Sequence, residues 1–356
     1  MPYDEFLLLH LVGRFKGERT LSGIYHLLKG KKSSQTIQDS YLFHVEPFFH
    51  SLDGLKRQDY DWLTGKCLKK RWIEEAGNRS GKYRLSESGA DRLKALGKTH
   101  SFPSGLDFTE HVNEESVFWL KLQLAVQTVS ELVHGRKSFF PVTRQALVTE
   151  SVRVFLRQPS QSPSRLALQM FVELRGLLSL CPREEADILV LQMTGFGMGG
   201  LTFHQLSCRF SNDLWICRLL HKSALRRLLH HLSAPDSDYP CLRRLLNEKR
   251  GTLSLSAGQT YDYLRQGKSM ETIARLRKLS RGTIEDHIVE LVLKVPSFDC
   301  SPYLPEEVNR SILSAARQAG TYRLKPIKHI LQDRVSYFQI RLALAKSAAR
   351  EGSADE

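Results

Sequence analysis

Four cations, Arg275, Arg277, Lys278 and Arg281, stand within seven residues of one another. They crowd the middle of residues 270–291, METIARLRKLSRGTIEDHIVEL, where the apolar spacing predicts two short helices joined at Leu279 and Ser280. Ile273 and Ala274 face inward from the first helix. Ser280 caps the second, and Ile284, Ile288 and Leu291 repeat at helical spacing along its inner side. Cations at a tight turn that opens a helix can meet phosphate oxygens, which is how a helix-turn-helix rests on the DNA backbone. Along the second helix Arg281, Gly282, Thr283 and His287 would then face a groove, with Thr283 and His287 nearest the bases. Glu285 and Asp286 lie between them, and carboxylates oppose phosphates, so this helix is expected to position the chain on DNA more than to read it.

Other spacings imitate catalytic or cofactor chemistry. Gly195, Gly197 and Gly200 satisfy G-x-G-x-x-G. A dinucleotide loop, however, needs a strand before it and a helix and second parallel strand after it. The acidic residues Glu184, Glu185 and Asp187 before Ile188 read as a first helical turn, so the glycines are expected to join two helices. Gly267, Lys268 and Ser269 end like a phosphate loop, but Asp262 occupies the place of its first glycine, where a carboxylate repels phosphate. The pairs Glu74 and Glu75, Glu184 and Glu185, and Glu306 and Glu307 are adjacent, so their side chains diverge on a helix and cannot share a substrate. No G-x-S-x-G elbow gathers a nucleophile. The six cysteines, at 67, 181, 208, 217, 241 and 300, form no C-x-x-C pair, which predicts reduced thiols and neither zinc ligands nor disulfides. A non-enzyme with no cofactor and no metal is expected.

The 356 residues carry a formal charge of +14 and 41% hydrophobic content, enough to fill ordinary cores and to draw the chain toward polyanions. There is no apolar run of membrane-spanning length and no charged-then-apolar leader at Met1, so a cytoplasmic, nucleoid-associated protein without membrane contact is expected.

The elements that must position these residues predict a mainly all-α fold in three regions. Residues 1–100 read as a winged-helix-like domain. It begins with an apolar helix over Tyr3–Phe15, then helical residues to Gly30, a basic turn at 29–32, a long amphipathic segment over 33–52 and a helix ending at Gly77. The alternation at 82–85 before a Ser-capped helix predicts a short β-wing, which adds Lys82 and Arg84 to the expected DNA contacts. Such domains also serve as protein docking modules. The stretch SFPSGLD at 101–107 marks a boundary.

Residues 107–250 read as a helical bundle with breaks at Pro141, 158–164, Pro182, the glycines after Thr194, and Pro235. Its buried stripes are predicted as Leu124, Val126, Val129, Leu132 and Val133, and as Leu168, Phe171, Val172, Leu174 and Leu178. Three helices over 183–195, 201–210 and 212–229 resemble a helix-turn-helix of the sigma-region-four type. Residues 252–346 contain a helix stopped at Gly267, the helix-turn-helix, a proline-bearing loop and a helical pair over 306–318 and 326–346. The tail, 347–356, is small, polar and charged, and is expected to be disordered.

The strings TYDYLRQGKSMETIA from Thr260, LSRGTIEDHI from Leu279 and LKPIKHILQDRVSYFQIRLALA from Leu324 resemble a particular helix-turn-helix domain, over residues 256–344. It is the one found at the C-terminus of RecQ-type helicases and in the YpbB-like proteins of Bacillus relatives. LSGIYHLLKGKKSSQTIQD from Leu21 is also similar to the YpbB-like family. The resemblance implies a non-catalytic, DNA-binding accessory factor that works with a RecQ-type helicase in repair or recombination. Two other readings stand beside it. One is a transcription regulator, which requires a preferred operator. The other is a docking adaptor whose winged helix and bundle bind protein.

Overall fold

The computed structural model describes residues 2–77, 81–157, 162–210, 213–246 and 253–352. Among them the chain is helical apart from one two-stranded hairpin, so the mainly all-α class holds. No described helix is long and apolar enough to cross a membrane. The chain divides into two compact units. Unit 1 is Met1–Asp4 with Ser101–Arg250, and unit 2 is Glu5–His100 with Gly251–Glu356. The first and third regions of the sequence thus fold in one unit and the middle region in the other.

Most of helix α1 (Tyr3–Phe15) opens unit 2 and buries Leu7, Leu8, Leu9, Leu11 and Phe15. Helix α2 (Leu21–Lys29) starts where the Thr20 hydroxyl accepts from the Gly23 N–H at 3.1 Å and stops at Gly30, whose φ of 71° suits glycine. Ser33 caps α3 (Ser34–Leu42). The segment 33–52 is not one long helix: α3 ends at Leu42, His44 turns left-handed, and Pro47 starts a 3₁₀ turn.

Helix α4 (Arg57–Lys69) likewise stops short of Gly77. Arg71 adopts a positive φ, and the chain leaves as β1 (Ile73–Glu75), antiparallel to β2 (Tyr83–Leu85) with Ile73 opposite Leu85. The hairpin is where the alternation put a pair of strands, and Ser86 caps α5 (Glu87–Leu96) beside it. A Cβ at Gly89 would overlap the Trp72 carbonyl, so only glycine lets α5 approach the hairpin this closely. Buried Glu5 ties the helices together, receiving Lys66 at 2.7 Å and Arg92 at 2.6 Å.

Unit 1 contains α6 (Glu115–Val133), α7 (Ala146–Leu156), α8 (Pro163–Ser179), α9 (Arg183–Leu191), α10 (Phe203–Phe210), α11 (Leu214–Ser233) and α12 (Pro240–Arg243). The stripe predicted on α6 holds except at exposed Val133. Of the stripe on α8 only Leu174 and Leu178 pack against the core: Leu168, Phe171 and Val172 are 64%, 59% and 52% exposed, while Leu166, Met170 and Leu177 are buried. The buried face includes Glu173, whose carboxylate accepts from the N–H groups of Cys241 (3.0 Å) and Leu242 (2.8 Å) at the start of α12. A pattern that assigns every carboxylate to solvent rotates this face by about one residue.

The glycine motif is a turn between α9 and α10. Gly195 and Met198 exchange backbone bonds of 3.0 Å, Gly197 is left-handed, and a Cβ at Gly200 would overlap the Gln192 carbonyl. The break expected over 158–164 lies in part outside the described residues.

The third region supplies α13 (Leu255–Arg265), α14 (Met270–Arg277), α15 (Arg281–Lys294), α16 (Glu306–Ala319), α17 (Leu324–Ile330) and α18 (Tyr337–Gly352) to unit 2. The helix expected over 326–346 is two. Gln332 and Asp333 take positive φ, and a reciprocal cap then starts α18: Ser336 Oγ accepts from Gln339 N at 3.1 Å, and Gln339 Oε1 from Ser336 N at 3.0 Å. Helix α18 runs on to Gly352, taking in part of the tail expected to be disordered; residues 353–356 lie outside the described ones.

Candidate nucleic-acid interface

The helix-turn-helix forms at the residues its spacing indicated. Ser269 Oγ accepts from Thr272 N at 3.2 Å to start α14, and Ser280 Oγ accepts from Thr283 N at 3.1 Å to start α15. Lys278, at φ 53° and ψ 43°, makes the left-handed bend between them. A lysine held there is strained relative to glycine, which makes this an over-determined turn. Ile273, Ile284, Ile288 and Leu291 are completely buried.

The four clustered cations separate into three environments. Arg275 and Lys278 are exposed. Arg281 is also exposed, but its guanidinium lies 3.4 Å from Glu271 on α14 and 3.1 Å from Glu285 one turn along α15. Arg277 corrects the expectation of a phosphate-facing side chain. It turns back onto α13, donating to the Ser256 carbonyl (2.8 Å), Ser256 Oγ (3.0 Å), Gln259 Oε1 (2.9 Å) and the Thr260 hydroxyl. Both terminal nitrogens of its guanidinium lock α14 to α13.

His287 is corrected as well. It is buried, its Nδ1 lies 2.8 Å from Thr260 Oγ1, and burial together with nearby Arg277 holds its imidazole below the usual histidine range. It stands in the interior, away from any groove. Thr283 is half-buried with its hydroxyl 2.8 Å from Ser280 Oγ, serving the cap. On the wing, Arg84 pairs across the hairpin with Glu74 at 2.8 Å. Lys82 is half-buried, and burial, then the neighbouring Arg323 and Arg19, push its ammonium below the usual lysine range.

The body of α15 is covered. It packs against α3, α13 and α18, and residues 287–293 are all buried; Arg281 and Gly282 of its first turn are exposed. Asp286 accepts from Arg341 of α18 at 2.6 Å, and Arg341 continues to Gln38 and Ser34 of α3. What the site offers is therefore a protruding turn, with Arg275, Lys278 and Arg281 around the positive end of a helix. Glu271 and Glu285 were missed as partners of Arg281. Glu285 was readable, four residues on along one helix; Glu271 reaches Arg281 only through the fold.

A Ser–His–carboxylate string occurs in unit 1, with Ser233 Oγ 2.8 Å from His111 Nε2, and His111 Nδ1 3.7 Å from Glu114. The Ser233 hydroxyl donates to the His230 carbonyl at 3.0 Å, so it receives its bond from the imidazole and closes the end of α11. Among the described residues no group of three His, Cys, Asp or Glu side chains could hold a metal ion.

The helix-turn-helix domain family matches residues 256–344. Protein YpbB of Bacillus subtilis (strain 168) is 30% identical over 348 residues, covering 97% of this chain and 98% of that protein. No solved structure matches the chain significantly.

Proposed function

The chain belongs to the YpbB family, and we propose that it is a non-catalytic, nucleoid-associated DNA-binding protein that holds the phosphate backbone and reads few bases. The observation that carries this is the asymmetry of the helix-turn-helix: the turn projects Arg275, Lys278 and Arg281 while the body of α15 is interior. Cations on phosphates supply affinity and register but no sequence information, whereas base discrimination needs side chains along a helix that enters the groove. This geometry favours an accessory factor over an operator-reading regulator. A place beside a RecQ-type helicase in repair or recombination is supported by the resemblance of the third region to the C-terminal domain of those enzymes. Selection from random duplexes tests the reading. No consensus should emerge and affinity should fall steeply with salt; recovery of a defined operator, or binding indifferent to salt, refutes it.

A second reading, a protein-docking adaptor, is favoured by the apolar side chains that unit 1 leaves in solvent: Leu147 (81%) and Val154 (60%) on α7, besides Leu168, Phe171 and Val172 on α8. Capture of a helicase that survives nuclease, persists when Arg275 and Lys278 are neutralised, and is lost when Phe171 and Val172 become serine would favour this reading.

A further inference from the structure

Unit 2 contains a cleft of about 650 Å³ bounded by α2, α3, the hairpin and α17. Six cations line it, Arg19, Lys31, Lys82, Arg323, Lys325 and Arg341, drawn from five separate stretches of the sequence. They face two carboxylates. Asp39 is saturated by Arg19, which grips it through bonds of 2.7 and 2.6 Å, and Glu18 accepts from the Tyr322 N–H at 3.1 Å. Arg341 is balanced by Asp286. With Glu18 beside Lys82, three cations, Lys31, Arg323 and Lys325, remain as surplus positive charge. Lys31, Arg323 and Lys325 are exposed at the rim, and Lys82 is half-buried deeper in. The capped starts of α2 at Thr20 and α3 at Ser33 also line the cleft and add their partial positive charge.

The titrating groups register this field. Lys82 is pushed down by burial and then by Arg323 and Arg19, and His26 by burial and then by Lys31 and Arg57. Like charges gathered from distant segments repel one another in the folded state, and a multiply charged anion relieves that repulsion. Lysines and arginines around a polar cleft suit phosphoryl oxygens, which accept several charge-assisted bonds at once.

We propose that this cleft is a phosphate-binding site for a nucleotide-sized polyanion, separate from the α14–α15 turn. Its phosphoryl groups come either from a free nucleoside triphosphate or from a nucleic-acid strand. The site does not rest on the helix-turn-helix reading, and either can fail alone.

The test uses the full chain in three forms: wild type, a cleft variant carrying Lys31→Gln, Arg323→Gln and Lys325→Gln, and a turn variant carrying Arg275→Gln and Lys278→Gln. Fluorescence anisotropy follows a fluorescent ATP analogue and a labelled dT20 strand. The cleft variant should lose at least about tenfold in affinity for one probe, and the turn variant should retain that probe's affinity to within about twofold. Loss of the ATP analogue assigns a free nucleotide; loss confined to dT20 assigns a strand. The three substituted side chains are exposed, and their removal relieves repulsion, so the cleft variant should unfold at a temperature no lower than wild type. Equal loss in both variants, no change above about twofold in the cleft variant, or lost binding accompanied by a fall in unfolding temperature overturns the proposal.

Discussion

Replacing Glu271 and Glu285 by glutamine tests the proposed DNA contact with a sign opposite to that of ordinary damage. Both carboxylates lie against Arg281, at 3.4 and 3.1 Å, and a phosphate must compete with them for its guanidinium. Glu271 is ionised throughout the useful pH range, since a bond from its own backbone N–H, with Ser269 and Arg281 beside it, keeps its carboxyl below the usual value. Exposed ion pairs of this kind contribute little to stability, so the fold should persist. With Arg281 released, one phosphate contact is gained, and the slope of log K against log salt should steepen by about 0.9. Between 50 and 200 mM salt that is a further loss of about 3.5-fold, reached from tighter binding at the low end. Neutralising Arg275 and Lys278 removes two contacts and should flatten the slope by about 1.8, or about 12-fold across the same interval. Anisotropy titrations of a labelled duplex at three salt concentrations measure both. Weakened binding by the double glutamine variant at low salt, or parallel salt slopes for all three proteins, means that this turn does not face the backbone.

Three further outcomes follow, two from buried groups and one from a helix cap. Glu115 is completely buried within 3.4 Å of Lys222 and 3.5 Å of Arg226, so Glu115→Gln strands interior cations and should cost about 3–5 kcal/mol in urea unfolding; a loss below about 1 kcal/mol contradicts the assignment. In unit 2, burial and then Arg14 push His10 down to about 4, from the ordinary 6.5. Its stabilising contribution is full above pH 6.5 and lost as pH falls toward 4, by at most about 1.4 kcal/mol per unit. Burial pushes Glu46 up to about 7, from the ordinary 4.5, so its contribution is full below pH 4.5 and lost as pH rises toward 7. The stability differences of wild type from His10→Leu and from Glu46→Gln should therefore slope oppositely between pH 4.5 and 6.5; slopes of one sign refute the pairing. Ser336→Ala removes half of the reciprocal cap on α18 and should cost about 0.5–2 kcal/mol by thermal unfolding, with no loss if Gln339 alone holds the turn.

The local signals in the sequence were sound where the chemistry is local. Ser269 and Ser280 as caps, Ile284, Ile288 and Leu291 as one face, and the wing at Tyr83–Leu85 all depend on neighbours within a turn or two. The signal of Ser336 and Gln339 was equally local: Ser-x-x-Gln is a capping box, and it marks the break inside what periodicity alone reads as one helix. The losses came from distance. Arg277 finds partners 17 and 21 residues back, and His287 is paired with Thr260 across 27, so neither could be separated from its exposed neighbours by spacing. Glu173 misled because a carboxylate capping a buried helix start looks, in one dimension, like a solvent-facing residue.

The same distance effect governs how α15 should be understood. Its sequence from His287 to Leu293 is HIVELVL, five apolar residues in seven with His287 and Glu290 paired inside, and such a segment belongs in an interior. A free-standing helix-turn-helix keeps one long face of its second helix for the groove. Here α3, from the opposite end of the chain, takes up part of that surface. Gln38 on α3 donates to the Arg341 carbonyl at 2.9 Å, and the Arg341 guanidinium spans Gln38, Ser34 and Asp286, so one side chain ties α3, α15 and α18 together. That network places the turn and the cationic cleft in one folding unit, both built from the first and third regions. Since α15 is covered from His287 to Leu293 and leaves only its first turn exposed, the proposed hold on nucleic acid falls to cations that meet phosphate oxygens, at the turn and at the proposed cleft in unit 2.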